Sequence, residues 1–77
     1  GNQNWNTQME GGNPDYIVVN GQKFITYGDT QTGGSTYWKL WPSREIVGHA
    51  QFSVGMQVKV KYETSGAQLC AKYVFKI

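Results

Sequence analysis

Between Thr36 and Trp41 the chain reads TYWKLW, which puts the rings of Tyr37, Trp38 and Trp41 and the ammonium of Lys39 within five consecutive residues. Flat rings stack on nucleobases and ammonium groups sit against phosphates, so this mixture is what single-stranded nucleic acid requires of a protein. If the segment is a strand, alternation puts Tyr37, Lys39 and Trp41 on one side and Trp38 and Leu40 on the other. The first set then forms a stacking platform with a cation among its rings, and the second fills the core. Lys59, Lys61 and Lys72 fall on the outward faces of two C-terminal strands and extend the basic track, with Arg44 and Lys76 at its margins. The competing explanation is plain packing, since Tyr and Trp are common in the cores and lids of small barrels and a lysine between them lays its stem along the rings.

Other chemistries are poorly supplied. Acid–base or nucleophilic catalysis needs convergent groups, and the chain offers one His, one Cys and five scattered carboxylates. His49 reads as a surface or hinge residue, Cys70 as a small apolar filler, and Asp29 with Thr30 as a turn pair. No catalytic residue, cofactor or metal site is therefore expected. A single cysteine forms no intramolecular disulfide, which favours a reducing, cytoplasmic compartment over a secreted one. No apolar run approaches the roughly 18 to 20 residues that cross a bilayer.

The net charge of +2 is unevenly spread. Residues 1–36 carry Lys23 against Glu10, Asp15 and Asp29, whereas residues 37–77 carry six basic side chains against Glu45 and Glu63. Such asymmetry fits a surface that faces a polyanion. At 77 residues the chain is one small domain, which buries only about 60% of the surface exposed when unfolded. Oligomerisation is one way to compensate.

The elements that must position these residues read as strands. Residues 1–14 are rich in Asn, Gln and Gly and have no apolar period, so they read as a flexible or loosely docked arm, with Trp5 folding back onto the domain. Residues 15–77 form the domain. Asn20-Gly21 between two β-branched and aromatic runs is the chemistry of a two-residue type I′ hairpin, which sets Val19 opposite Gln22 and Ile17 opposite Phe24. TYWKLW is a third strand, ended by Pro42. The segment 42–52 forms at most one short helix, with Ile46, Val47 and Ala50 inward, or equally an irregular crossover or another strand. Met56, Val58, Val60 and Tyr62 alternate with polar residues in a half-buried strand. A final strand returns through Leu69 and Ala71, and a bulge in it brings Val74 into the core and frees Tyr73 or Phe75. The expected core is Ile17, Val19, Phe24, Trp38, Leu40, Met56, Val58, Val60, Leu69, Ala71 and Val74. The layout is all-β: a small five-stranded antiparallel β-barrel with at most one short helix between the third and fourth strands.

The run FSVGMQVKVKYETSGAQLCAKYVFKI, the last 26 residues, resembles the closing strands of OB-fold domains, in which an apolar residue and a Gly precede alternating Val residues and a Leu-x-Ala-x-x-Val strand comes next. The hairpin fits more loosely, the long first strand of such a barrel would come from 15–27 or from the arm around Trp5, and an SH3-like barrel stays open. The resemblance implies a groove over the second and third strands, flanked by the loops after strands one and four. It implicates Tyr27, Tyr37, Lys39, Trp41 and the loop 63–67. Together with Lys59, Lys61 and Lys72 these describe a non-catalytic module for single-stranded nucleic acid, DNA before RNA. The alternatives are an oligosaccharide-binding barrel or a protein-interaction barrel, the latter including a homo-oligomer.

Overall fold

The computed structural model describes the backbone of residues 3–13 and 15–77, and the side chains of Met9 and of 15–77. Strand β2 (Tyr16–Val19) and strand β3 (Gln22–Ile25) form the expected hairpin. Asn20 and Gly21 both take positive φ, 55° and 73°, as a type I′ turn demands. Register is set by the turn: Val19 faces Gln22, Ile17 faces Phe24, Val18 faces Lys23 and Tyr16 faces Ile25. Ile17, Val19 and Phe24 are buried on one side.

The segment expected as an arm is instead strand β1 (Gln3–Asn13), 11 residues long. Its first part pairs antiparallel with β5 (Gln57–Ser65), from Gln3 opposite Tyr62 to Gln8 opposite Gln57. Its second part pairs with β2, from Met9 opposite Val19 to Asn13 opposite Tyr16, with an irregularity between Met9 and Gly11. Ladder bonds are made by peptide groups, so a strand between two partners needs no apolar period of its own. That is why composition pointed to an arm. Met9 is buried in the core. The expected docking of the Trp5 side chain lies outside the described residues.

Strand β4 (Tyr37–Leu40) and strand β6 (Gln68–Lys76) complete one sheet in the order β3-β2-β1-β5-β6-β4. The all-β expectation holds, but the closed five-stranded antiparallel barrel does not form. The sheet is open, has six strands among the described residues, and mixes directions: β4 runs parallel to β6, and β3 meets β6 through one parallel pair, Ile25 with Cys70. The cause is an excursion. After β3 the chain leaves the sheet over residues 26–36 and rejoins it further along the same neighbour, still travelling the same way. Side-chain periodicity carries no information about direction, so the sequence pattern could not show this. Thr36 anchors the excursion: its buried hydroxyl accepts from the Tyr27 N–H (2.9 Å) and donates to the Ala71 carbonyl (3.0 Å).

No helix forms over 42–52. A single 3-10 turn at His49–Gln51 replaces it, and a second such turn lies at Thr30–Thr32. Arg44 and Gly48 take φ of 67° and 85°, which break a helical path on both sides of Ile46 and Val47. The segment folds back along β4 instead. Leu40 N–H donates to the Glu45 carbonyl, Arg44 N–H to the Leu40 carbonyl, and Val47 N–H to the Trp38 carbonyl. Ile46 and Ala50 are consequently exposed, and only Val47 packs against the core.

The core contains Ile17, Val19, Phe24, Trp38, Val58, Val60, Ala71 and Val74 as expected, with Met9, Phe52 and Tyr62 in addition. Leu40, Met56 and Leu69, expected inside, are half-buried. Met56 lies before β5, where its sulfur accepts from the Ser53 N–H at 3.1 Å. The bulge is present: Tyr62 faces Ala71 while Lys61 faces Tyr73, so Lys72 is the extra residue. Among the described residues no helix is long and apolar enough to cross a membrane.

Candidate functional site

Alternation along β4 divides TYWKLW. Trp38 is 1% exposed and donates its indole N–H to the Gly28 carbonyl at 2.8 Å, satisfying the one polar atom it carries into the core. Tyr37 and Lys39 take the opposite face, and Trp41 lies half-buried just past the end of β4. On β6 the extra residue Lys72 shifts the alternation of the residues after it, so Val74 points inward while Tyr73 and Phe75 join the outer face.

The two neighbours of β6 then build rows across that face. Tyr37, Tyr73 and Lys61 form one row; Lys39, Phe75 and Lys59 form the next. Tyr37 and Tyr73 stack with centroids 5.1 Å apart and planes 15° apart. Tyr73 and Phe75 are nearly coplanar in orientation at 6.0 Å, and Trp41 meets Phe75 edge-on at 5.2 Å. Phe75 is only 4% exposed although it stands apart from the main core, because Trp41 covers it. Tyr37 remains 37% exposed.

Cations surround these rings. The Lys59 ammonium lies 4.1 Å from the Trp41 centroid, and the Arg44 guanidinium 5.5 Å from it. Lys39 lies 5.0 Å from Tyr37 and 5.3 Å from Tyr73, and Lys61 5.9 Å from Tyr73. Ring quadrupoles attract such charges without neutralising them. Among the described residues, the only ion pair joins His49 to Asp29, so none of these cations has a carboxylate partner.

Two clefts open beside the rings and meet at Lys61 and Tyr73. One, about 390 Å³, is lined by Lys39, Trp41, Arg44, Lys59, Lys61, Tyr73 and Phe75. The other, about 240 Å³, is lined by Ser35, Tyr37, Lys61, Glu63, Lys72 and Tyr73. Six residues singled out in the sequence, Tyr37, Lys39, Trp41, Lys59, Lys61 and Lys72, thus line this face. Tyr27 does not. Its hydroxyl shares a 3.3 Å hydrogen bond with the Cys70 sulfur, which raises the phenol pKa above its ordinary value, and it lines neither cleft. Of the loop 63–67 only Glu63 contributes. Sequence reasoning missed Tyr73 and Phe75 as site residues. The signal was the bulge, because moving Val74 inward obliges its two neighbours to face outward.

Asp29 and His49 serve architecture. The Asp29 carboxylate, 2% exposed, accepts from the Gln31 N–H (2.8 Å) and the His49 N–H (2.6 Å) and meets His49 Nδ1 at 2.9 Å. Burial pushes this carboxyl upward, but the backbone donors of Gln31 and His49, with the imidazole, outweigh it and hold the pKa below its ordinary value. The pair pins the 26–36 excursion to the turn at His49, whose ring lies edge-on to Trp38. Among the described residues no group of three His, Cys, Asp or Glu side chains is placed to hold a metal ion. A scan against protein-family models and searches of characterised proteins and of solved structures return no match for this chain.

Proposed function

We infer that the chain is a non-catalytic binding module for single-stranded nucleic acid, held on the outer face of β4, β5 and β6. The observation that carries this reading is the set of five cations, Lys39, Arg44, Lys59, Lys61 and Lys72, gathered around four aromatic rings without an ion-pair partner among the described residues. Stacking of a base on such a ring contributes roughly 1–3 kcal/mol, and each phosphate met by a cation releases counterions. A face that stacked sugars would use the same rings but has no need of five unpaired cations.

The fold that accompanies this reading is an OB-like, partly open Greek-key barrel. The resemblance of residues 52–77 supports it, as does the return of β3 to β6 through Ile25 and Cys70. DNA is the form expected first.

The test is anisotropy of a fluorescent single-stranded oligonucleotide titrated with the protein at several salt concentrations. Tight binding at low salt that weakens steeply and log-linearly as salt rises is the expected result. No binding at low salt overturns the reading, and a glycan array and sedimentation would then test the sugar-binding and self-associating alternatives.

A further inference from the structure

Glu63 is out of place on a face whose other charges are all positive. It lines the smaller cleft with Lys61, Lys72, Ser35, Tyr37 and Tyr73, and its carboxylate makes no hydrogen bond or ion pair among the described residues. Against a phosphate this carboxylate is repulsive. It therefore weakens any purely electrostatic grip, and its use must be sought in a polar group that donates hydrogen bonds.

The cleft has the dimensions and chemistry for one base. Its volume, about 240 Å³, falls below the roughly 300 Å³ at which pockets begin to enclose larger ligands. The stacked rings of Tyr37 and Tyr73 are part of its lining, so a base entering there meets aromatic surface. Its polar lining is a carboxylate that only accepts, two ammonium groups that only donate, and the Ser35 hydroxyl that does either. Cytosine has the matching edge: a 4-amino group that donates, beside a ring nitrogen and a 2-carbonyl that accept. Uracil and thymine present a 4-carbonyl where the amino group would be, and that oxygen repels a carboxylate.

We propose that this cleft holds one base of the bound strand and prefers cytosine to uracil or thymine, with the Glu63 carboxylate accepting from the 4-amino group while Lys61 or Lys72 donates to the 2-carbonyl. The proposal rests on the nucleic-acid reading above and adds a base preference to it. The larger cleft, lined by Lys39, Arg44, Lys59 and Lys61 with no carboxylate, then tracks the backbone and carries no such preference.

The experiment compares oligo-dC with oligo-dU of equal length, which differ at the 4-substituent and the N3 proton but not in ring size. Binding to oligo-dC about tenfold tighter is expected, the scale of one well-placed charge-assisted contact to a base. Glu63→Ala should bring the two affinities together while leaving oligo-dU bound as well or better, because one negative charge is gone. Since Glu63 is exposed on β5, the variant should melt like the parent. Equal affinities in the unaltered protein overturn the proposal while leaving the binding reading intact. A dC preference that survives Glu63→Ala also overturns it. If neither oligonucleotide binds at low salt, the binding reading itself fails and the base preference falls with it.

Discussion

At the scale of single residues, Trp41 has two tasks, to cover Phe75 and to present a ring beside Lys59 and Arg44. Trp41→Ala should weaken oligonucleotide binding by about 1–3 kcal/mol, the contribution of one stacked base. Lys39→Ala should lower affinity less and reduce the slope of log affinity against log salt by about one, as expected for one phosphate contact. Anisotropy titrations of the two variants across a salt series separate these outcomes; equal slopes for Lys39→Ala and the parent would count against a phosphate role. Asp29 makes a different kind of prediction. A carboxyl whose pKa is lower in the folded chain stabilises the fold fully above its unfolded value, near 3.9, and that contribution fades as pH falls through the lower folded value. The melting temperature should therefore drop below about pH 4. Asp29→Asn should flatten that part of the profile and cost about 1–3 kcal/mol at neutral pH, because charge-assisted bonds to Gln31 and His49 are weakened. Circular dichroism melts over a pH series check both.

At the scale of elements, legibility tracked the strength of local constraint. The Asn20-Gly21 turn admits one register, so Val19 with Gln22 and Ile17 with Phe24 could be named from the sequence and were found. Gly21→Ala should cost about 1–2 kcal/mol through its φ of 73° alone, since an added Cβ meets nothing within 4 Å. Urea unfolding with a lower midpoint and unchanged slope is the expected signature. The split of Trp38 from Trp41 and the bulge in β6 were legible for a related reason, because alternation leaves large side chains few places to go. What was not legible depended on distant partners. β1 has no apolar period and is a strand because β2 and β5 hold its two parts. Tyr73 and Phe75 acquire their place only through the register of β6 against both neighbours. Which path the segment 42–52 takes was left open by the sequence, because the backbone bonds that lay it along β4 are encoded by no local propensity. Tyr27, implicated through the OB resemblance, lies outside both clefts with its hydroxyl on the Cys70 sulfur, a contact between distant residues that local pattern does not show.

At the scale of the molecule, the sheet has an apolar inner face and an aromatic, basic stretch on its outer face, with β6 contributing to both. β1 joins its two parts, since among the described residues β2 and β3 otherwise pair with the remaining strands only through Ile25 and Cys70. Deleting residues 1–13 should therefore abolish cooperative unfolding and not merely trim the domain. A sharp melt retained by the shortened chain would return that segment to the status of an arm. The edge of β4 bears on how copies of this protein meet. On that edge the Trp38 carbonyl and the carbonyl and N–H of Leu40 are engaged by Arg44, Glu45, Val47 and Gly48 of the same chain. A strand from a second molecule cannot add there without first displacing that segment. Edge-to-edge addition of a second copy at β4 is thus blocked beside the face that carries Tyr37, Tyr73 and Trp41.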